Sequence, residues 1–260
     1  MATVTRRIIN WAAAFEDGAI IRAAFFGLLT ATGVILYLDY SELNASQPAS
    51  AIAPDLMPIL PAFDPSAPAG RPGPEVTTPT EELRQPLNVA LVSGGTLQLT
   101  GTIDPGALAR VQAEIEAHGE YIKTVALNSP GGAVAEALAI GRLVRDKGYA
   151  TSVAAGALCA SSCPLIFAAG RERIATPKSA IGVHQIYAAA PADSLLSRVA
   201  AAGQAMSDAQ TLTAQISRYL RSMGIDEEVW LKALETPPDR LTYFSAEELK
   251  RLNLATRLAN

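Results

Sequence analysis

The chain has 260 residues, which is enough for one domain of ordinary size and an appendage. Its formal net charge is -4, so no broad basic surface that neutralises phosphates is expected, and nucleic-acid binding is excluded. Hydrophobic residues make up 49%, which supports a well-packed core, but many of the 17 prolines are concentrated between residues 42 and 86.

The first predicted element is a transmembrane helix over residues 19–40. From Ala19 to Leu38 the chain is apolar except for Arg22 and two threonines, and about 20 such residues are enough to span the hydrocarbon core of a bilayer. A cleaved signal peptide is one alternative, although the small residues that follow match a cleavage site only vaguely. A buried globular helix is another, but no element follows that could cover it.

The charges around this segment predict its orientation. Basic residues lie before the apolar stretch Ala19–Leu38 or near its start, and acidic residues follow it: Arg6, Arg7 and Arg22, then Asp39 and Glu42. Since basic residues are retained on the cytoplasmic side, residues 1–18 are expected to be cytoplasmic. The rest of this single-pass membrane protein is then expected to lie outside the cytoplasm, in the periplasm.

Residues 41–87 are predicted to be a disordered linker. They are rich in Pro, Ala, Ser and Thr, and include the sequence SAPAGRPGPEVTTPTEE. Such a segment cannot bury enough apolar surface to offset its ordering entropy. The linker would hold a soluble domain, residues 88–260, away from the bilayer without fixing its orientation.

Strand and helix patterns alternate in this domain. NVALV and TLQLTGTI have the alternation of strands, and ALARVQAEIEAHG is a helix ended by Gly119. The strand and helix patterns then repeat twice, in TVALNS with AVAEALAIGRLVRDKG and in YATSVAAGALC with PLIFAAG. Near the C-terminus, Ser245 with Glu248 predicts a capping box at the start of a helix. The alternation predicts an α/β domain with a largely parallel sheet, whose sites form at strand ends.

Three motifs follow one another in the middle of the domain: NSPGG at 128–132, ASSCPLIFAAG at 160–170 and GVHQ at 182–185. In this order and spacing they resemble the proteolytic subunit of Clp protease, within the wider Clp/crotonase fold. The resemblance spans residues 88–260 and implies a spiral of β-β-α units. It also implies a homo-oligomer, because the family uses the helix after the histidine in oligomer contacts.

The resemblance implies that Ser161 is the nucleophile and His184 the general base. Ser161 lies nine residues before Gly170, and His184 lies in the VHQ strand. Serine is a weak nucleophile until a base takes its proton, and histidine titrates close enough to neutrality to do so. Ser162 is an alternative nucleophile, and a helix N-cap is the alternative role for Ser161.

Backbone amides of the PGG turn and of the following helix start are expected to form an oxyanion hole. Gly131, Gly132 and the amide of Ser162 fit that role, since preorganised N–H donors stabilise the developing negative charge. Glycine also lets the backbone approach the scissile carbonyl closely.

The third triad member departs from the family pattern. Asp239 is the predicted orienter, but it lies two positions further from Ser245 than the family's aspartate. Alternatively, Asp239 is a turn residue, and a carbonyl or Thr242 orients the imidazole. Lys178 would be the base in a serine–lysine dyad like that of signal peptide peptidase A, but it is more simply a solvated charge. His118, at a helix end, is given no catalytic role.

Cys159 and Cys163 flank the serines with a spacing of four. On a regular helix their Cα atoms would be about 6 Å apart, so a disulfide could clamp the nucleophile turn in an oxidising compartment. Two buried free thiols are the alternative. No metal or cofactor is expected, because neither paired ligand motifs nor a phosphate-binding glycine loop is present.

Together these patterns predict a membrane-anchored serine hydrolase, a peptidase that cleaves peptides or exported proteins through an acyl-enzyme on Ser161. A catalytically inactive Clp-like scaffold or binding module at the membrane is the alternative, which the displaced Asp239 favours. Acyl-CoA chemistry of the crotonase type is a third possibility, and it would use the oxyanion-hole amides without a serine–histidine pair.

Overall fold

The computed structural model describes residues 17–45, 74–186 and 195–259. The chain divides into two compact units, residues 1–52 and 53–260. Residues 1–16 of the predicted cytoplasmic segment and residues 46–73 of the predicted linker lie outside the described residues. Within the described residues, the first unit is one helix and the second is a folded domain.

Helix α1 (Asp17–Ala45) contains the predicted transmembrane segment. Its 29 residues extend over roughly 43 Å at the usual rise of an α-helix. The apolar window Ile21–Leu38 has a mean hydropathy of 1.7, and none of it is buried inside the structure. The hydrocarbon core of a bilayer is about 30 Å thick, so by length and composition α1 can cross a membrane.

The second unit is a mixed α/β domain in which strands and helices alternate, and this prediction is confirmed. Its described strands are β1 (Asn88–Val92), β2 (Thr96–Thr100), β3 (Thr124–Asn128), β4 (Ala150–Ser152), β5 (Leu158–Ala160), β6 (Arg173–Ala175), β7 (Ala180–Val183), β8 (Thr242–Tyr243) and β9 (Arg257–Leu258). Its described helices are α2 (Thr80–Leu83), α3 (Ala107–His118), α4 (Val134–Lys147), α5 (Cys163–Ala169), α6 (Leu195–Ser222), α7 (Glu228–Glu235) and α8 (Ala246–Arg251).

The strands form a central sheet and a smaller second sheet. The central sheet has the order β1-β2-β3-β4-β6-β9, and the second has the order β5-β7-β8. In the central sheet only β1 runs antiparallel to its neighbour, while β2, β3, β4, β6 and β9 are parallel. A bridge between Ser129 and Cys159 joins the end of β3 to β5. The candidate site forms at this junction.

The core is built from alternate residues of the central strands and one face of each flanking helix. Leu97 and Leu99 of β2 are fully buried, and so are Ile140 and Val144 of α4. Burial of such a side chain contributes about 1.5–3 kcal/mol. The sheet and helix therefore hold the ends of β3 and β5 in fixed positions.

The folded domain begins before residue 88, where the linker was expected to end. Leu83 is 1% exposed and Leu87 is 2% exposed, and each belongs to a buried hydrophobic cluster. The backbone N–H of Leu87 also donates to Asp104 Oδ1. The Pro- and Thr-rich composition predicts disorder for this stretch, but long-range packing of these two leucines orders it.

The C-terminal helices close the domain. In α6 the C-terminal half is packed, with Ile216, Tyr219 and Leu220 buried. Helix α8 begins with the predicted capping box, in which the Glu248 N–H donates to Ser245 Oγ and the Ser245 N–H donates to Glu248 Oε2. Residues 187–194, which precede α6, lie outside the described residues.

Candidate active site

Ser161 lies in a sharp turn between β5 and α5. Its φ is 60°, in the left-handed region that side-chain-bearing residues seldom adopt. Such a conformation costs on the order of 1–3 kcal/mol and is concentrated at functional sites. A serine on a strained strand-to-helix turn is also the arrangement found in the nucleophile elbow of hydrolases. The Ser161 N–H donates to Gly182 O at 3.0 Å, which fixes the turn against β7.

The two adjacent serines have different surroundings. Ser162 is 3% exposed, and its hydroxyl donates to Gly132 O at 3.1 Å. Ser161 is half-buried, and its hydroxyl forms no hydrogen bond with a described residue. Ser162, not Ser161, occupies the N-cap of α5, and its side chain does not cap the helix. These differences favour Ser161 over Ser162 as the nucleophile.

The PGG turn packs directly against Ser161. Gly131 has a φ of 97°, and a Cβ added there would lie 2.7 Å from Ser161 Cβ and 2.9 Å from Ser162 N. Gly132 has a φ of 144°, and a Cβ there would lie 2.2 Å from Ile103 O. Both positions therefore require glycine, for conformation and for space.

The amides predicted to bind an oxyanion are not equally free. The Gly131 N–H donates to Ser129 Oγ at 3.1 Å. The amides of Gly132 and Ser162 form no hydrogen bond with any residue that the structure describes. The N–H groups of Gly132 and Ser162 are thus the two predicted donors that are free to bind an oxyanion. Gly131 instead allows the turn to lie close to Ser161 and Ser162.

His184 follows β7, the strand that pairs in parallel with β5. Ala160 lies opposite Gly182 in this pairing, so Ser161 and His184 follow the ends of neighbouring strands. His184 is 8% exposed, and its burial lowers the pKa of the imidazole below its ordinary value, an effect that the backbone of Gln185 partly opposes. The imidazole is therefore neutral at pH 7, as a general base must be.

The structure does not place Asp239 beside His184. The Asp239 side chain is 72% exposed, and its Oδ1 lies 3.6 Å from Arg240 Nε. Among the described residues, buried Nδ1 of His184 has no hydrogen-bond partner. The role of Asp239 in a triad stays a prediction. Lys178 is exposed in the turn before β7, as expected for a solvated charge.

Two threonines that flank the histidine strand were not singled out together by the sequence. Thr242 pairs with Val183, the residue before His184, and Thr236 O accepts from the N–H of Gln185 at 2.9 Å. The hydroxyls of the two threonines lie 2.8 Å apart. Thr242 was an alternative orienter, but nothing in the local pattern around Thr236 predicts that it is buried.

A disulfide joins Cys159 and Cys163 across the nucleophile turn. Their Cα atoms are 5.2 Å apart, and both residues are fully buried. The bond connects the middle of β5 to the first residue of α5, so it closes a small ring that contains Ser161. Within the described residues, no cluster of three or more His, Cys, Asp or Glu side chains could hold a metal ion.

Comparison with known proteins adds one finding. The family model for Clp protease matches residues 111–252, which is more than half of the chain and includes the PGG turn, Ser161 and His184. No curated protein matches the chain. With the α/β fold and the serine–histidine strand ends already in place, the match shows that the chain belongs to the Clp protease family.

Proposed function

We propose that this protein is a membrane-anchored serine peptidase that cleaves peptide bonds through an acyl-enzyme on Ser161. The observation that carries the proposal is the left-handed turn at Ser161. It lies beside two amides that have no partner among the described residues, and the strand before it pairs with the strand that leads to buried His184. Membership of the Clp protease family supports serine peptidase chemistry.

The arrangement supports acyl transfer in two steps. Ser161 Oγ attacks the scissile carbonyl carbon while neutral His184 takes its proton. The carbonyl oxygen becomes an oxyanion, which accepts hydrogen bonds from the N–H groups of Gly132 and Ser162. His184 then returns the proton to the leaving amine, the C–N bond breaks, and water hydrolyses the acyl-enzyme with the same histidine as base.

The cellular setting belongs to the same proposal. Helix α1 anchors the protein, with the N-terminus in the cytoplasm and the catalytic domain in the periplasm. The disulfide between Cys159 and Cys163 supports this location, because disulfides persist in oxidising compartments. We also propose that the domain adopts the spiral of β-β-α units and assembles into a homo-oligomer through α6, as family membership suggests.

The test is labelling of the full chain in detergent with a fluorophosphonate probe, followed by digestion of a quenched fluorescent peptide library. Ser161→Ala and His184→Ala should lower both activities by several orders of magnitude, while Ser162→Ala should retain labelling. Labelling that survives in Ser161→Ala would reject the nucleophile assignment.

An inactive scaffold is the second candidate. Exposed Asp239 and the Nδ1 of His184, which has no partner among the described residues, favour it. The two candidates differ in one result. A folded wild-type protein that is not labelled in either its oxidised or its reduced form is a scaffold, whereas a labelled one is an enzyme.

A further inference from the structure

The residues immediately before the sheet are packed against the end of β3 and against the second sheet. Residues 76–83, here named the docking segment, contact both strands that lead into the site. The Thr77 N–H donates to Gly156 O at 2.9 Å. The Asn128 side chain donates from Nδ2 to Thr78 Oγ1 at 2.8 Å.

Asn128 holds three parts of the molecule together. Its Oδ1 accepts the N–H of Leu158, the first residue of β5, at 3.0 Å. A backbone N–H can only donate, so this bond fixes the orientation of the amide and leaves Nδ2 for Thr78. Asn128 thereby joins the docking segment to β5 and ends the strand that leads into the PGG turn.

The hydrogen bonds continue from Asn128 into the site. The next residue, Ser129, donates its N–H to Leu158 O at 2.6 Å and accepts the N–H of Ala160 at 3.0 Å. Ser129 Oγ accepts the N–H of Gly131. The position of the PGG turn relative to β5 therefore depends on the series of hydrogen bonds that begins at Asn128.

Apolar packing supports the same contact. Leu83 at the end of the docking segment is buried with Leu158 and Ala160 of β5 and with Ala180 of β7, and Val76 packs against this cluster. Gly156 has a φ of 73°, and a Cβ there would lie 2.6 Å from Thr77 Oγ1. The segment thus fits closely against the sheet that leads to Ser161 and His184.

We infer that Thr78 and Asn128 are positioning residues. Through the hydrogen bond between them, the docking segment holds the PGG turn in its position beside Ser161. The inference rests on the proposed peptidase function for its kinetic consequence.

The experiment compares full-length variants in detergent by the rate constant and the affinity of fluorophosphonate labelling. Thr78→Val removes the hydroxyl and keeps the shape, and it should lower the labelling rate constant about threefold to tenfold without changing probe affinity. Thr78→Ser keeps the hydroxyl and should retain the wild-type rate constant. Thr124→Val is the matched control, since Thr124 lies on the same strand as Asn128 and its hydroxyl has no partner among described residues.

A double-variant cycle tests the route of the effect. In an Asn128→Ala background, Thr78→Val should have little further effect, because the bond is already lost. An unchanged rate constant in Thr78→Val would overturn the inference. An equal loss in the Asn128→Ala background would overturn it too, since the effect would then not pass through Asn128.

Amide hydrogen exchange separates this inference from the peptidase proposal. Thr78→Val should speed exchange of the N–H groups of Leu158 and Ser129, and Thr124→Val should not. If the wild type is not labelled but exchange responds to Thr78→Val, the peptidase proposal fails and the positioning contact stands. If exchange does not respond, the positioning contact is rejected, whether or not the protein is labelled.

Discussion

Ser161 and Gly131 depend on each other at the scale of single residues. The left-handed turn brings the serine so close to the PGG turn that no side chain fits between them. A sequence pattern identifies both residues by type and spacing, because a glycine turn and a serine before a helix are local features. It does not give the conformation of Ser161 or the partner of the Gly131 amide, because both depend on contacts distant in sequence.

Gly131→Ala is predicted to lower the rate of Ser161 labelling by about a hundredfold, with only a moderate loss of folding stability. The added Cβ would displace Ser161 or Ser162, and displacement of a reacting group by about 1 Å can cost about a hundredfold in rate. Gly94→Ala is the control, since Gly94 also has a positive φ of 77° but has open space around it. Equal labelling of both variants would contradict the close packing described for Gly131.

The acid side of the pH–rate profile reports on His184. Burial lowers its pKa, so the neutral base persists to a lower pH than an exposed histidine. The labelling rate should therefore fall only below about pH 6.5, the ordinary value for histidine. Loss of rate that begins above pH 7 would contradict this prediction.

The lowered pKa of His184 also makes the folding stability depend on pH. As the pH falls below about 6.5, the unfolded chain takes up a proton that folded His184 does not, so stability is lost until the lower pKa of the folded state is reached. Denaturant unfolding of the wild type and of His184→Gln at several pH values measures this contribution. A loss of stability over this window that is equal in both proteins would assign it to other groups.

At the scale of elements, the disulfide joins β5 to α5 around Ser161. The order of strands and helices could be predicted from their periodicity, and so could the capping box of α8. The formation of α2 could not be predicted, because Pro and Thr residues favour disorder locally. Only the burial of Leu83 and Leu87 outweighs that preference. Asp239 shows the same limit, since its distance from His184 along the chain says nothing about the exposed turn in which it lies.

Replacement of both Cys159 and Cys163 by alanine is predicted to lower the free energy of unfolding by about 2 kcal/mol, the chain-entropy effect for a loop of this size. The labelling rate should also fall under conditions in which the wild type and the double variant are both fully folded, because the disulfide encloses Ser161. Leu234→Ala offers a comparison outside the ring at a partly exposed position. An unchanged labelling rate in the folded double variant would show that the ring does not position the serine.

At the scale of the whole molecule, one long apolar helix precedes the catalytic domain. Its apolar window could be predicted from composition because membrane spans are set by length and hydropathy. The proposed direction of α1 across a membrane depends on the charges around the helix.

The full chain is predicted to stay in the membrane fraction after alkaline extraction, with a mass that includes α1. Leu29→Arg together with Ile35→Arg should release it, since an arginine at the centre of a span costs about 2.5–3.5 kcal/mol for insertion. Tyr40→Arg, beyond the apolar window, should not. A mature protein that lacks residues 17–45 would show that α1 is a cleaved signal instead.

The hydrogen bond from the Ser161 N–H to Gly182 O has a consequence for how this chain can vary in length. Ser161 and His184, the proposed nucleophile and base, are aligned by one ladder between β5 and β7, so a slip of one residue would bring Val183 or Gln185 to the position of His184. Insertions within either strand are therefore incompatible with activity. An added residue in the turn around 176–179, outside the ladder, would instead leave the pairing of Ala160 with Gly182 in place.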